Sequence, residues 1–587
     1  MISKEYVLGA MVSAGLLFAG CGQSPTGSSV KVSGIDATEA QAEITEVADK
    51  IKGLYGPLEY KEKRFGYKLD DLVAAARLSV ETAQGELEAG KISGATADAK
   101  YLGAIKKLLA SLEDGHVGIT FPVNGTGVAA YDTGIFMIPL EGKAVIAAAS
   151  GIASELGLER GDVVLAVDGK DPFEYLPLIT QYEAIGNDVS DQQFIYKVLN
   201  RPFYITDLTP DVAKNPNVNV KVQKATGEEL SVDVPWILKK DPTPAAPVNA
   251  AEGKFEMVVA SVNDYNDAAK GSFMEMGARD PFFMSPAVIN SFEIEEVTPN
   301  AANLAKYGVT LDDVTVDGKF AVYAALYKYN NKTILLVRQA GYSPALEEDK
   351  MIAAYKALLD QYDQFADVLV IDQNHNPGGS LTYEHEFFKL FINGEARNMV
   401  QFFNVDKKWY LDLLDWAATT TPGSAVDVLI RQRAGIIESA IDNKLALTRP
   451  FPLLETEMLS GHADYTWKKP ILLLADELAG SCGDIFPMLM KQNGIAKILG
   501  KRTMGLGGNV EEVGTLTHSR ATFRLTRGLF NTFKADGKYS DEEFVENNGV
   551  TPHYDYTHTL SDFRQGYVDY FKTVSDTALQ QIPESVQ

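Results

Sequence analysis

Apolar positions along the chain change period several times, and each change marks an element. Between about residues 37 and 112 they recur at helical spacing. This predicts helices over Ala40–Ile51, Asp70–Ala89 (apolar at Leu72, Val73, Ala76, Leu78 and Val80) and Ala97–Leu112, read together as a small cap or dimerisation region. Around Gly115 the period shortens to two, predicting strands over Val117–Phe121 and Gly134–Ile138. Residues 134–235 then read as a β-rich module: a strand Lys143–Ala149, a short helix from Ile152 stopped by Gly161, a buried strand Val163–Val167 and a tight Asp168-Gly169 turn. A Pro/Ala stretch, Asp241–Pro247, marks a boundary, and residues 250–330 carry no clear pattern. From Lys332 strands and helices alternate: Thr333–Arg338, helix Leu346–Phe365, Val368–Asp372, helix Ser380–Ile392, Ile471–Ala475 and helix Ser481–Gln492. That alternation predicts a layered α/β core. No internal repeat is visible.

The amino terminus follows a different pattern. Lys4 precedes an apolar run, Tyr6–Ala19, of signal-peptide length and too short to span a bilayer comfortably. It ends in Leu17-Phe18-Ala19-Gly20-Cys21, which resembles a bacterial lipobox, and Gly22–Ser29 reads as a flexible tether. The expectation is a signal peptide over residues 1–20, lipid on Cys21, a tether over 21–36, and a body held at the bacterial cell envelope through that lipid alone. Cys482 is the second of two cysteines, so a lipidated Cys21 leaves it without an intramolecular partner. The chain has 587 residues, enough for several domains, and its net charge of −25 argues against nucleic acid or an anionic membrane surface as a partner.

Three short segments carry chemistry. In Ala475–Phe486 a buried strand ends in small residues and Ser481 opens a helix, beside backbone amides and the positive end of a helix dipole. In Val368–Gly379 a buried strand runs into a turn closed by Gly378 and Gly379, whose amides can approach a ligand. In Leu112–Gly118 a histidine, His116, falls at a helix-to-strand junction. Each alone also fits a structural role, since serine is a favoured helix cap and a lone histidine is usually surface or satisfied core. Seven histidines without paired Cys/His spacing or an H-E-x-x-H pattern argue against a metal site, and no nucleotide-binding glycine fingerprint is present; no cofactor is expected.

Together the segments resemble the D-G-H-[TV], D-x-R-x-N-x-G-G and [TS]-[AG]-S-[AC]-[GA]-[ED] motifs of the C-terminal-processing (tail-specific) serine peptidases, in order and spacing. Gly500–Gly505 resembles that family's G-x-x-T-x-G turn and Glu546–Pro552 its E-x-x-G-[IV]-x-P segment. Gly157–Gly169 resembles the G-L-x-x-G-D-x-I-x-x-V-[ND]-G signature of PDZ domains, which could take an extended peptide onto a sheet edge. The resemblance implies a multi-domain α/β (α+β) protein with a ClpP/crotonase-like layered α/β protease core. Its divisions would be an N-terminal helical region (37–125), an inserted PDZ-like domain and linker (126–247), an unassigned insertion or first part of the core (248–330) and the core itself (331–587). It implies Ser481 as nucleophile and an oxyanion hole from the amides of Gly378 or Gly379 and Cys482. Many bacterial members place a lysine base where this chain has Leu506, and Lys491, Lys497 and Lys501 do not match that position. The tricorn-like branch uses histidine, which would make His116 the base and Glu546 its carboxylate. Further departures are Asn374 for the usual arginine of the D-x-R-x-N turn and His553 for the aspartate after Pro552. The expected activity is peptide-bond hydrolysis on exported or envelope proteins and peptides. The alternatives are a silent peptide-binding scaffold or a carrier of hydrophobic ligands on the same fold.

Overall fold

The strands Val368–Asp372 and Ile471–Ala475 are apolar at nearly every position, which requires a sheet covered on both faces. The computed structural model, which describes residues 35–121, 128–240, 277–454 and 456–583, has such a sheet at its centre. The expected signal peptide, Cys21, its tether up to residue 34, the Asp241–Pro247 linker and residues 248–276 lie outside the described residues. Seven strands lie in the order Glu295–Glu296, Ala324–Tyr329, Lys332–Arg338, Val368–Asp372, Ile471–Ala475, Lys497–Gly500 and Tyr554–Asp555. The last five run parallel, and the first two pair antiparallel at one edge. Alternate residues feed opposite layers. Leu336, Val370 and Leu474 join one core with helix Val568–Leu579, while Leu335, Ile371 and Leu473 join the other with helices Glu348–Asp363 and Cys482–Gln492. The structure is thus a multi-domain mixed α/β protein, as the alternation predicts. Part of the unpatterned stretch, Ala324–Tyr329, belongs to this sheet.

Because Val368–Asp372, Ile471–Ala475 and Lys497–Gly500 are parallel neighbours, the turns at their carboxyl ends emerge side by side. These turns are the Gln373–Gly379, Asp476–Gly480 and Lys501–Gly507 segments.

The N-terminal helices span Ala37–Leu54, Leu58–Phe65, Leu69–Glu88 and Gly94–Ala110. Asp36 and Glu39 form a capping box at the first, satisfying amides that would otherwise be orphaned. Their apolar faces (Ile44, Val47, Ile51, Val80, Ile105, Leu108) pack on Leu516, Phe523 and Leu525 of the hairpin Val510–Thr515/Thr522–Thr526. Strand Gly118–Thr120 pairs with the same hairpin, so the His116 segment is fixed to the C-terminal half of the chain.

The β-rich module is a five-stranded antiparallel sheet: Ile135–Leu140, Lys143–Ala149, Val163–Val167, Asn217–Gln223 and Glu229–Pro235. The Asp168-Gly169 turn forms with both residues at positive φ, 48° and 78°, and Val167 bridging Lys170. One detail differs from expectation. The short helix Ile152–Glu155 ends at Leu156, with Gly157 turning left-handed at φ 87°; Gly161 lies in a later turn.

Candidate active site

Ser481 precedes helix Cys482–Gln492 at φ 57° and ψ −119°, a conformation side-chain-bearing residues avoid and that costs on the order of 1–3 kcal/mol. Its hydroxyl makes no capping hydrogen bond, so the role most serines serve at a helix start is not the role here. The strain is held by packing. A Cβ at Gly378 would lie 2.6 Å from Ser481 Cβ and 2.8 Å from the Cys482 amide nitrogen, so only glycine allows this approach. The Gly480 amide donates to the Asn376 carbonyl at 3.0 Å, tying the two turns together.

Of the amides expected to form an oxyanion hole, the structure sets one apart. Gly378 N–H donates to Asn376 Oδ1 at 2.9 Å and is already engaged. The Gly379 and Cys482 amides have no acceptor among the described residues, and Cys482 N–H is one of the first-turn amides a helix leaves unpaired. Cys482 Sγ donates to the Gly379 carbonyl at 3.1 Å, and burial pushes its thiol well above the usual range. It is therefore an inert neighbour of Ser481 rather than a rival nucleophile.

Asp484, one turn into the helix, is fully buried and accepts from the amides of Gly505 and Leu506 at 2.9 Å each and from the Thr503 hydroxyl. Burial raises its carboxyl to about 6, with those donors opposing. Thr503 Oγ1 in turn accepts from the Val550 amide at 2.8 Å, and Gly507 N–H donates to Glu546 Oε2 at 3.0 Å. The Thr503–Gly507 turn thus joins the Ser481 helix to the Glu546 segment. At Gly507 a Cβ would sit 2.2 Å from the Glu546 amide, so the close approach requires glycine.

Leu506, at the position of the absent lysine, is buried between the other two segments. A Cβ on Gly115 would lie 2.8 Å from its Cδ2, and one on Gly480 3.0 Å from its Cδ1. It therefore touches the residues immediately before His116 and Ser481. Of the three lysines nearby in sequence, Lys491 Nζ donates to the Thr551 carbonyl at 2.6 Å and Lys501 pairs with Glu477 at 3.3 Å, while Lys497 is exposed.

His116 is buried, and one of its ring nitrogens lies within 4.8 Å of a carboxylate oxygen of Asp114 and of one of Glu546. The sequence-predicted His116 and Glu546 are therefore neighbours, and Asp114 joins them. Neither ring nitrogen of His116 has a hydrogen-bond partner among the described residues, so a Ser481–His116 hydrogen bond is not formed in this conformation. Burial lowers the imidazole to about 4, with Asp114 opposing and Arg524 and Lys61 assisting, so it is neutral at physiological pH. Asp114 accepts from the His116 amide and the Tyr55 hydroxyl, each at 2.9 Å. Glu546 accepts from Gly507 N–H and from Lys61 Nζ, the latter at 2.5 Å. With these oxygens already accepting from protein donors and a lysine cation inside the group, the arrangement disfavours a bound cation.

Residues 334–556 match the model of peptidase family S41, and this span contains Ser481, Glu546 and all three amides. That stretch is a peptidase S41 domain, and the protein is a serine peptidase. A protein of Chlamydia pneumoniae is 24% identical over 637 residues, covering 100% of this chain and 96% of its own length. A protein of Chlamydia trachomatis serovar D is 27% identical over 253 residues, 39% of this chain and 41% of the relative. Among solved structures, mature CPAF complexed with lactacystin superposes with a TM-score of 0.68 at 19% identity, covering 93% of this chain and 99% of that one. At that identity the likeness is one of fold. The chain's substrates are proteins or peptides, as a peptidase domain implies.

Asp114, Asp484, Tyr55 and Lys61 were not singled out in the sequence. Asp114 sits inside the D-G-H segment, so its signal was present but attached to the histidine. Lys61 lies in a short, mostly charged helix that reads as solvated surface.

Proposed function

We propose that the peptidase cleaves peptide bonds through an acyl-enzyme on Ser481, with His116 as general base and Glu546 as the carboxylate that supports it. The single observation that carries this reading is Ser481 itself: an uncapped hydroxyl on strained backbone, at a helix start, against Gly378. His116 takes the Oγ proton as Oγ bonds to the scissile carbonyl carbon. The resulting oxyanion is met by the Gly379 and Cys482 amides. As the C–N bond breaks, the imidazolium returns the proton to the leaving amine, and water then hydrolyses the ester by the same base. Glu546 in its ionised form stabilises the cation formed in both steps.

A fluorophosphonate probe is expected to label the protein on Ser481, located by mass spectrometry of the modified peptide. Absence of labelling, or label on another residue, would return the silent-scaffold reading.

The five-stranded module is proposed to bind an extended segment of the substrate as a PDZ-like domain, by addition to its sheet edge. Cys21 is proposed to carry the lipid that holds the peptidase at the cell envelope, where its substrates would be exported or envelope proteins. The chain expressed with Cys21→Ser is expected to leave the membrane fraction for the soluble one; unchanged partitioning would refute the anchor.

A further inference from the structure

We propose that Lys61, on the N-terminal helix Leu58–Phe65, is a positioning residue of the active site that holds Glu546 as a carboxylate against His116. The inference rests on the assignment of Ser481, His116 and Glu546 above.

Lys61 and Glu546 side chains are both 0% exposed. A buried ion pair is expensive to desolvate, and an apolar pair of the same shape is often as stable, so stability alone is a poor reason for it. Its geometry gives a better one. Nζ donates to Glu546 Oε1 at 2.5 Å, to Asn547 Oδ1 at 2.6 Å and to the Glu113 carbonyl at 2.6 Å, using all three of its protons. The acceptors lie on two segments remote in sequence, one leading into Asp114–His116 and the other carrying Glu546. Asn547 Nδ2 donates to the same Glu113 carbonyl at 2.7 Å, and the neighbouring Tyr60 hydroxyl donates to the Glu546 carbonyl at 2.8 Å. The helix thus fixes both the orientation of the carboxylate and its distance from the imidazole segment.

The charges around Glu546 make that cation necessary. Asp114 and His116 face it from one segment, Tyr55 and Tyr60 from the helices, with Glu113 and Arg64 beyond; Arg524 faces Asp114 and His116. Burial and the Asp114 carboxylate push the Glu546 carboxyl upward, and Lys61 is the cation that opposes them. With Lys61 in place the carboxyl lies at about 8; without it the value would rise further, and still less of the carboxylate that stabilises the His116 imidazolium would be present at neutral pH.

The test is the rate of Ser481 labelling by a fluorophosphonate as a function of pH. In Lys61→Met the acid limb is expected to move about 1–3 pH units upward, with a fall of about 10- to 1,000-fold at neutral pH that recovers toward alkaline pH. Lys61→Arg, which keeps the charge, is expected to lie closer to wild type. A merely structural lysine would not yield a loss that alkali reverses. Should Lys61→Met fail to fold, Lys61→Met/Glu546→Gln removes the cation together with the charge it would orphan, and its rate is expected to equal that of Glu546→Gln alone. A wild-type pH profile in folded Lys61→Met, or a double variant slower than Glu546→Gln, overturns the inference while leaving the triad intact. If Glu546→Gln itself labels like wild type, the assignment of Glu546 is what fails.

Discussion

Ser481→Ala and His116→Ala are each expected to lower kcat by about 10⁴- to 10⁶-fold, and the double variant no further than the worse of the two. The physical reason is that, in the proposed mechanism, the pair acts as a unit. Without Oγ there is no acyl intermediate, and without the imidazole the hydroxyl keeps its proton. What survives either change is the contribution of the Gly379 and Cys482 amides and of substrate binding. The pH dependence should also differ from that of an exposed histidine. Burial holds the His116 imidazole down to about 4, so it remains in its base form down to about that pH and does not itself set an acid limb nearer neutrality. The group expected to set it is Glu546, whose carboxyl burial and Asp114 raise, so turnover should climb with pH as that carboxyl ionises. Steady-state rates on a peptide substrate measure all three variants. Turnover that persists in Ser481→Ala would remove it as nucleophile, and a His116→Ala enzyme of undiminished rate would point to a lysine that reaches Ser481 only with substrate bound.

How much of this could be read without the structure divides along a physical line. The strand Val368–Asp372 has its predicted limits, and Ile471–Ala475 also matches, because an apolar run bounded by turn residues is a local signal. Strand Val163–Val167 and its Asp168-Gly169 turn were legible for the same reason. Elements whose partners are distant were not. Glu295–Glu296 and Tyr554–Asp555 are two-residue strands that exist only because the sheet continues through them. Helix Leu58–Phe65 carries few apolar residues, and what places it is the pairing of Lys61 and Tyr60 with a segment more than 480 positions away. The helical pair Lys407–Thr419 and Ala425–Asp442 likewise went unread, although its own apolar residues pack it. At the proposed site, motif position pointed to Ser481, His116 and Glu546, but not to which amide is spent: the Gly378 amide is turned to the Asn376 side chain, a fact of rotamer rather than of motif.

The departure at Asn374 leads to the largest expected effect on stability. The turn after Val368–Asp372 lacks its usual arginine, yet a guanidinium is present there, supplied by Arg338 on the adjacent strand. Its Nη1 donates to the Asn374 carbonyl at 2.6 Å and to Asp372 Oδ2 at 3.1 Å, and its Nε to the Ala278 carbonyl at 3.2 Å. Asp372 Oδ1 meanwhile accepts from the Asn374 amide at 3.0 Å, so one ion pair sets the start of the turn that carries Gly378 and Gly379. The Arg338 and Asp372 side chains are 2% and 0% exposed. Arg338→Met should therefore cost about 3–5 kcal/mol, since it strands a carboxylate in the core, whereas Arg338→Met/Asp372→Leu should recover much of the loss. Burial already raises the Asp372 carboxyl, and Arg338 opposes it, so the single variant raises it further. A folded-state carboxyl held above its unfolded value favours the native state while protonated and loses that advantage as pH rises through the folded value. The deficit of Arg338→Met, measured as the urea midpoint, should accordingly shrink in acid and widen toward neutrality. A midpoint equal to wild type at neutral pH would mean that Asp372 is protonated in the native protein, and that the turn is held by neutral hydrogen bonds instead of an ion pair.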